Sequence, residues 1–146
     1  MKLSGRDICA WMAAVTVALT FGVGPVRADG AEVTVHVAGL ESTEGDIIVA
    51  LFDEAGWKGK ERIVAARIAA DAADLTLKLA APAPGKYGIK AFHDLDKNGE
   101  MNKTFGIPTE PYAFSNDAKA SGGPPDFSAA AFDVTADGAE QTLQLR

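Results

Sequence analysis

Apolar and polar residues alternate along most of this chain. From Glu32 to Ala38, Val33, Val35 and Val37 fall on one face and Thr34 and His36 on the other. Asp74 to Ala80 repeats the pattern with Leu75, Leu77 and Leu79, and Lys86 to Phe92 with Tyr87, Ile89 and Ala91. Ser128 to Thr135 aligns Ala130, Phe132 and Val134, and Glu140 to Arg146 aligns Leu143 and Leu145. Ile63 to Ala69 carries a weaker version through Val64, Ala66 and Ile68. A period of two places every second side chain on the same face of an extended strand, and a single apolar face marks a half-buried antiparallel strand. Asp46 to Phe52 differs, because Ile48, Ala50 and Phe52 are apolar as well as Ile47, Val49 and Leu51. A strand apolar on both faces is covered on both, so a further segment has to lie over the outer side of its sheet. Turn residues at Gly39 to Gly45, Pro82 to Gly85 and Ala136 to Gly138 separate these segments. The pattern predicts an all-β fold, a single antiparallel β-sandwich of about seven strands.

The segment from His93 to Phe127 breaks this rhythm, with 35 residues and no clear strand or helix period. Unstructured loops beyond about 12–15 residues are uncommon inside compact domains. This one contains Phe105, Ile107, Tyr112, Phe114 and Phe127, which are costly to leave in water. An ordered loop folded back over the sheet is therefore expected, and it is the natural cover for the outer face of the Asp46 strand.

The first 28 residues read differently. Lys2 and Arg6 precede an apolar run from Ile8 to Val23, and Val26-Arg27-Ala28 places small residues at the −3 and −1 positions of a cleavage site. This is the order of a secretory signal peptide, and the run is too short and interrupted for a membrane span of about 20 apolar residues. Residues 1–28 are expected to be a cleaved signal and residues 29–146 one exported domain, periplasmic or secreted. Cys9 is the sole cysteine and falls in the signal, so disulfides and thiolate chemistry are excluded from the domain. Residues 29–146 carry 11 basic and 19 acidic side chains, a net charge of −8. That balance excludes a nucleic-acid partner, which needs a basic footprint, and makes cations the natural counter-partners.

The mouth of the long loop holds the candidate chemistry. Asp94, Asp96 and Asn98 alternate and are followed by Gly99, which matches the first half of a calcium loop. The carbonyl of Glu100 and the side chain of Asn102 would fill the next two places. The position of the bidentate glutamate is taken by Phe105, so a remaining ligand has to come from elsewhere, Glu110 or water. Binding in the range of roughly 10⁻⁴ to 10⁻³ M is expected of such a site. The alternative is an Asx turn, in which Asp and Asn bond to backbone two residues on and the glycine takes a left-handed conformation.

His93 continues the inward face of Tyr87, Ile89 and Ala91 and is expected at the rim of the core, beside Asp94. With only His36 and His93 in the domain, a histidine-rich zinc site is not built. No serine lies in a Gly-x-Ser-x-Gly elbow, and no His-Glu-x-x-His or phosphate-cradling glycine loop is present. His93, Glu110, Tyr112 and Trp57 remain as a candidate ligand surface, Trp57 because Gly56-Trp-Lys-Gly59 offers it little apolar company.

The ordered series Pro84-Gly-Lys-Tyr87, His93-Asp94, Gly106-Ile-Pro-Thr-Glu-Pro-Tyr-Ala-Phe-Ser-Asn116 and Gly123-Pro-Pro-Asp-Phe127 resembles the bacterial envelope family known as domain of unknown function 2141, over nearly all of residues 31–146. The Pro-Gly-x-Tyr hairpin followed by His-Asp is similar, more loosely, to transthyretin-like and carboxypeptidase-regulatory-like sandwiches. The resemblance implies an exported sandwich of immunoglobulin or transthyretin kind and supplies no catalytic residues. The family pattern often has a further Asp after the glycine, where this chain has Met101-Asn102. The expected function is a non-enzymatic binding or accessory module of the bacterial envelope, with a structural calcium ion in the Asp94–Asn102 loop and an envelope ligand or protein as partner. The alternatives are a hydrolase of envelope carbohydrate or peptide using His93 with Asp94 or Glu110, and a structural domain without ligand.

Overall fold

The computed structural model describes residues 30–59 and 61–146, so the expected signal segment lies outside the described residues. The first strand, β1 (Ala31–Ala38), buries Ala31, Val33, Val35 and Val37, the face its alternation marks. The next, β2 (Asp46–Phe52), is buried at every position from Ile47 to Phe52. A short helix, α1 (Glu54–Lys58), opens where the Asp53 carboxylate accepts the Gly56 N–H at 2.7 Å, which satisfies one otherwise free amide of its first turn. The chain returns as β3 (Val64–Ala69), β4 (Leu75–Ala81) and the long β5 (Gly85–Asp94). A hairpin of β6 (Lys103–Thr104) and β7 (Ile107–Pro108), then β8 (Tyr112–Phe114) and a 3-10 turn at Ser115–Asp117, lead to a helical turn, α2 (Phe127–Ala130). The chain closes with β9 (Phe132–Val134) and β10 (Ala139–Gln144).

The fold is all-β, with two main sheets facing each other across one core. One sheet has the order β10-β1-β4 and the other β3-β2-β5-β8, with β9 also paired to β5. Val33, Val35, Leu77, Leu79 and Leu143 from the first meet Ile47, Val49, Leu51, Ile89 and Ala91 from the second in a single buried cluster. Burial of each such side chain is worth roughly 1.5–3 kcal/mol. A second cluster lies on the outer side of the larger sheet, where Ala50 and Phe52 of β2 meet Trp57, Phe114, Phe127 and Ala130. This is the cover that the two-sided apolar pattern of β2 requires.

Four expectations need correction. The sheets are not wholly antiparallel, because β1 and β10 run parallel, with Val33 beside Ala139 and Ala38 beside Gln144. Alternation reports which face is buried and carries no information on strand direction. The strand expected over 128–135 is cut short by α2, whose Ser-Ala-Ala sequence fits either period because alanine packs on any face. The loop 93–127 contains regular structure, since Tyr112–Phe114 adds to the sheet beside Lys90–Phe92. Three residues are too few to show a period. Finally, Phe105 and Ile107 are not folded under the loop but stand 102 % and 69 % exposed at the tip of the β6–β7 hairpin.

Candidate functional site

The mouth of the long loop is an acidic knot at the end of β5. Asp94 is fully buried. One of its oxygens accepts the Asn98 N–H at 3.1 Å and the other the Gly99 N–H at 2.8 Å, with Arg67 Nη2 at 3.4 Å from the latter. Gly99 sits at φ +79°, the left-handed conformation that brings its amide round to the carboxylate and that other residues resist. Asp96 accepts the Asn98 N–H at 3.3 Å and the side-chain amides of Asn98 and Asn102 at 3.1 and 2.8 Å. The Asn102 amide and the backbone around Asn98 hold the Asp96 carboxyl below its ordinary range, since hydrogen bonds to the charged form favour it.

Glu110 completes the knot from the far side of the β6–β7 hairpin. It is buried and accepts the backbone amides of Leu95 and Asn102, each at 2.9 Å. Oxygens of Asp94, Asp96 and Glu110 all lie within 4.8 Å of one another. The Glu100 carboxylate stands outside this group, and the Glu100 N–H is bonded to Asn98 Oδ1 at 2.8 Å. A half-turn of the Asn98 and Asn102 amides exchanges donor nitrogen for acceptor oxygen, so the knot can present either hydrogen bonds or a set of oxygens to its centre. Arg67 and Lys97 neutralise Asp46 at its edge, with Arg67 the main cause of a lowered Asp46 carboxyl.

His93 belongs to the other side of β5. Successive strand residues point to opposite faces, so its ring is directed away from the Asp94 side chain. It is buried to 1 % exposure and its Nε2–H donates to the Glu44 carbonyl at 2.6 Å. This bond occupies Nε2 as a donor. No dyad with Asp94 follows from adjacency in sequence, and Glu110 is committed to two backbone amides.

Trp57 is not an exposed platform. It is 3 % exposed, stacks edge-on to Phe52, Phe114 and Phe127 with centroids 5.8–6.1 Å apart, and its indole N–H donates to the Pro125 carbonyl at 2.8 Å. Its apolar company comes from residues distant in sequence. It forms one wall of an open groove of about 1070 Å³ on the outer face of the larger sheet. The floor is Ile48 and Ala50 of β2, Lys90 and Phe92 of β5, and Tyr112 and Phe114 of β8, in register as neighbours. The β6–β7 hairpin, with Lys103 and Ile107, forms the opposite wall. The acidic knot lies at the base of that hairpin and holds it over the sheet.

Tyr112 of the expected ligand surface thus lines the groove partly buried and Trp57 lines it buried, while Glu110 works in the knot and His93 in the core. Lys90, Phe92, Lys103 and Ile107 escaped the sequence reading. The available signal was a lysine placed among the outward positions of a strand whose neighbours are apolar, and that becomes visible only once β2 and β8 are known to flank it.

The description "Uncharacterized protein conserved in bacteria (DUF2141)" belongs to the family whose profile matches residues 35–142. No curated protein and no solved structure matches the chain.

Proposed function

The chain belongs to this family, DUF2141, and from that premise we propose that it is an exported, non-enzymatic binding module of the bacterial envelope. Its ligand surface is the groove between the β6–β7 hairpin and the Trp57 wall. The observation that carries this reading is the half-open outer face of the larger sheet. Phe92 and Tyr112 remain only partly buried on its floor, whereas the face toward the other sheet is closed. Concave, mostly apolar sites with a few polar groups are the usual form of small-molecule sites, and those hold about 300–1,000 Å³.

In this reading the acidic knot is a positioning device. A calcium ion bound by Asp94, Asp96 and Glu110, with the oxygens of Asn98 and Asn102 and the Glu100 carbonyl, fixes the base of the hairpin. Arg67 draws off part of the Asp94 charge, which puts the affinity near the weak end of the range, about 10⁻³ M. The hydrolase alternative is disfavoured by the bond from His93 Nε2 to Glu44. Among the described residues, no helix is long and apolar enough to cross a membrane.

The test is amide chemical-shift mapping of residues 29–146 with a neutral apolar probe, decanol. Saturable shifts confined to Ala50, Lys90, Phe92 and Phe114 are expected. Shifts that are absent, or scattered over the surface, refute the groove as a ligand site.

A further inference from the structure

The basic residues of this acidic domain are unevenly paired. Arg67, Lys78, Lys86, Lys97 and Arg146 each have a carboxylate within ion-pair distance. Among the described residues, Lys58, Arg62, Lys90, Lys103 and Lys119 have none, and the first four line the groove. Among the described residues, Asp126 is the sole acidic one along it, and it makes no ion pair with them. In a domain of net charge −8, four uncompensated cations round one apolar groove reverse the local sign of charge.

Lys90 occupies the middle of the floor, with Ala50 and Phe114 as its register neighbours. Its ammonium lies 4.5 Å from the centroids of Phe52 and Trp57 and donates to the Trp57 carbonyl at 2.6 Å. It retains further donors, because an ammonium has three. Burial, and secondarily the charge of Lys103 across the groove, push its proton affinity down. Two lysines close enough to disfavour one another, with no carboxylate between them, are an arrangement that an anion relieves. On the hairpin above them, Phe105 is held at φ +51° followed by Gly106 at +81°. These values fit the two-residue type I′ turn, which favours Asn-Gly, so an aromatic there occupies a disfavoured backbone position while fully exposed. Such residues concentrate at ligand clamps.

We infer that the groove takes a fatty-acid-like carboxylate, its head group between Lys90 and Lys103 and its chain along Phe92, Tyr112 and Ile107. This names the ligand class for the groove reading above and rests on it, but it is independent of calcium in the knot.

The experiment is a fluorescence titration of residues 29–146, in which Trp57 is the sole tryptophan. Decanoate, decanol and decyltrimethylammonium are each added below micelle formation. Decanoate should bind saturably and at least about tenfold more tightly than decanol, as expected for one charge-assisted hydrogen bond. The cationic amphiphile should be the weakest. Lys103→Ser, an exposed change that leaves the core untouched, should weaken decanoate by about tenfold and decanol by much less. Lys90→Met should do the same. Equal binding of decanoate and decanol overturns the carboxylate inference while leaving the groove as a site. Failure of both ligands overturns the groove itself. Retention on anionic phosphatidylglycerol vesicles without saturable decanoate binding also overturns the inference, in favour of a membrane surface.

Discussion

Glu110 accepts the backbone N–H of Leu95 at 2.9 Å, closing a fifteen-residue excursion of the chain back onto the end of β5. Its second oxygen takes the Asn102 N–H, so one buried carboxylate ties both limbs of the loop. Glu110→Gln keeps the size but gives one of these amides an NH₂ group to face. A buried donor left without an acceptor costs about 1–3 kcal/mol. The unfolding free energy from urea titration should fall by that amount, with a lower midpoint and an unchanged slope. A midpoint equal to that of the unsubstituted protein rejects the tie.

Calcium should raise the thermal midpoint. A ligand at about 100 times its dissociation constant stabilises by roughly 2.7 kcal/mol, which moves a domain of this size by several degrees. Melts of residues 29–146 with excess calcium and with chelator should differ accordingly, and Asp96→Ala should remove the difference. Identical melts remove the ion from the account. A shift that survives Asp96→Ala places it somewhere other than the knot.

Acid should loosen the knot. The carboxyls of Asp96 and Asp46 are held below their ordinary value of 3.8, Asp96 chiefly by the Asn102 amide and Asp46 chiefly by Arg67. Between the folded and unfolded values the unfolded chain binds more protons, so stability rises with pH there. The contribution is complete above the unfolded value and is lost as pH falls through the folded one. Urea midpoints measured from pH 6 to pH 2 should therefore decline below about pH 4. Asp96→Asn should decline less steeply than the unsubstituted protein. A parallel decline in the two would show that Asp96 does not contribute.

The Trp57 wall depends on an absent side chain. A Cβ at Gly88 would meet Trp57 Cζ3 at 2.6 Å and Cε3 at 2.9 Å, closer than nonbonded carbons pack. Gly88→Ala forces the indole off Phe127 and off the Pro125 carbonyl. Overpacking of this kind costs about 1–3 kcal/mol, and the Trp57 emission should move to longer wavelength as the ring gains water. An unmoved spectrum with unchanged stability would mean that the indole is not packed on Gly88.

The body of this fold was legible because its strands bury one face each. Val33, Val35 and Val37 or Leu75, Leu77 and Leu79 announce both the element and its inward side. The apolar outer face of β2 even announced a cover. What escaped detection depends on contacts distant in sequence. Trp57 reads as isolated beside Gly56 and Lys58, yet it packs on Phe114 and Phe127. Lys90 reads as an ordinary outward lysine until Phe114 is set beside it. The parallel pairing of β1 with β10 leaves no mark on either strand. In the knot, Asp94, Asp96 and Asn98 showed themselves by spacing. The geometric role of Glu110 depended on how a hairpin folds back.

Amide hydrogen exchange at Leu95 and Asn102 reads the attachment of the loop residue by residue. Both N–H groups should be protected well beyond the rates of an open chain, and Glu110→Gln should speed these two while leaving the amides of β1 and β2 unchanged. Open-chain exchange at Leu95 and Asn102 in the unsubstituted protein would contradict the account, because the hairpin would then have no fixed base and the groove no second wall.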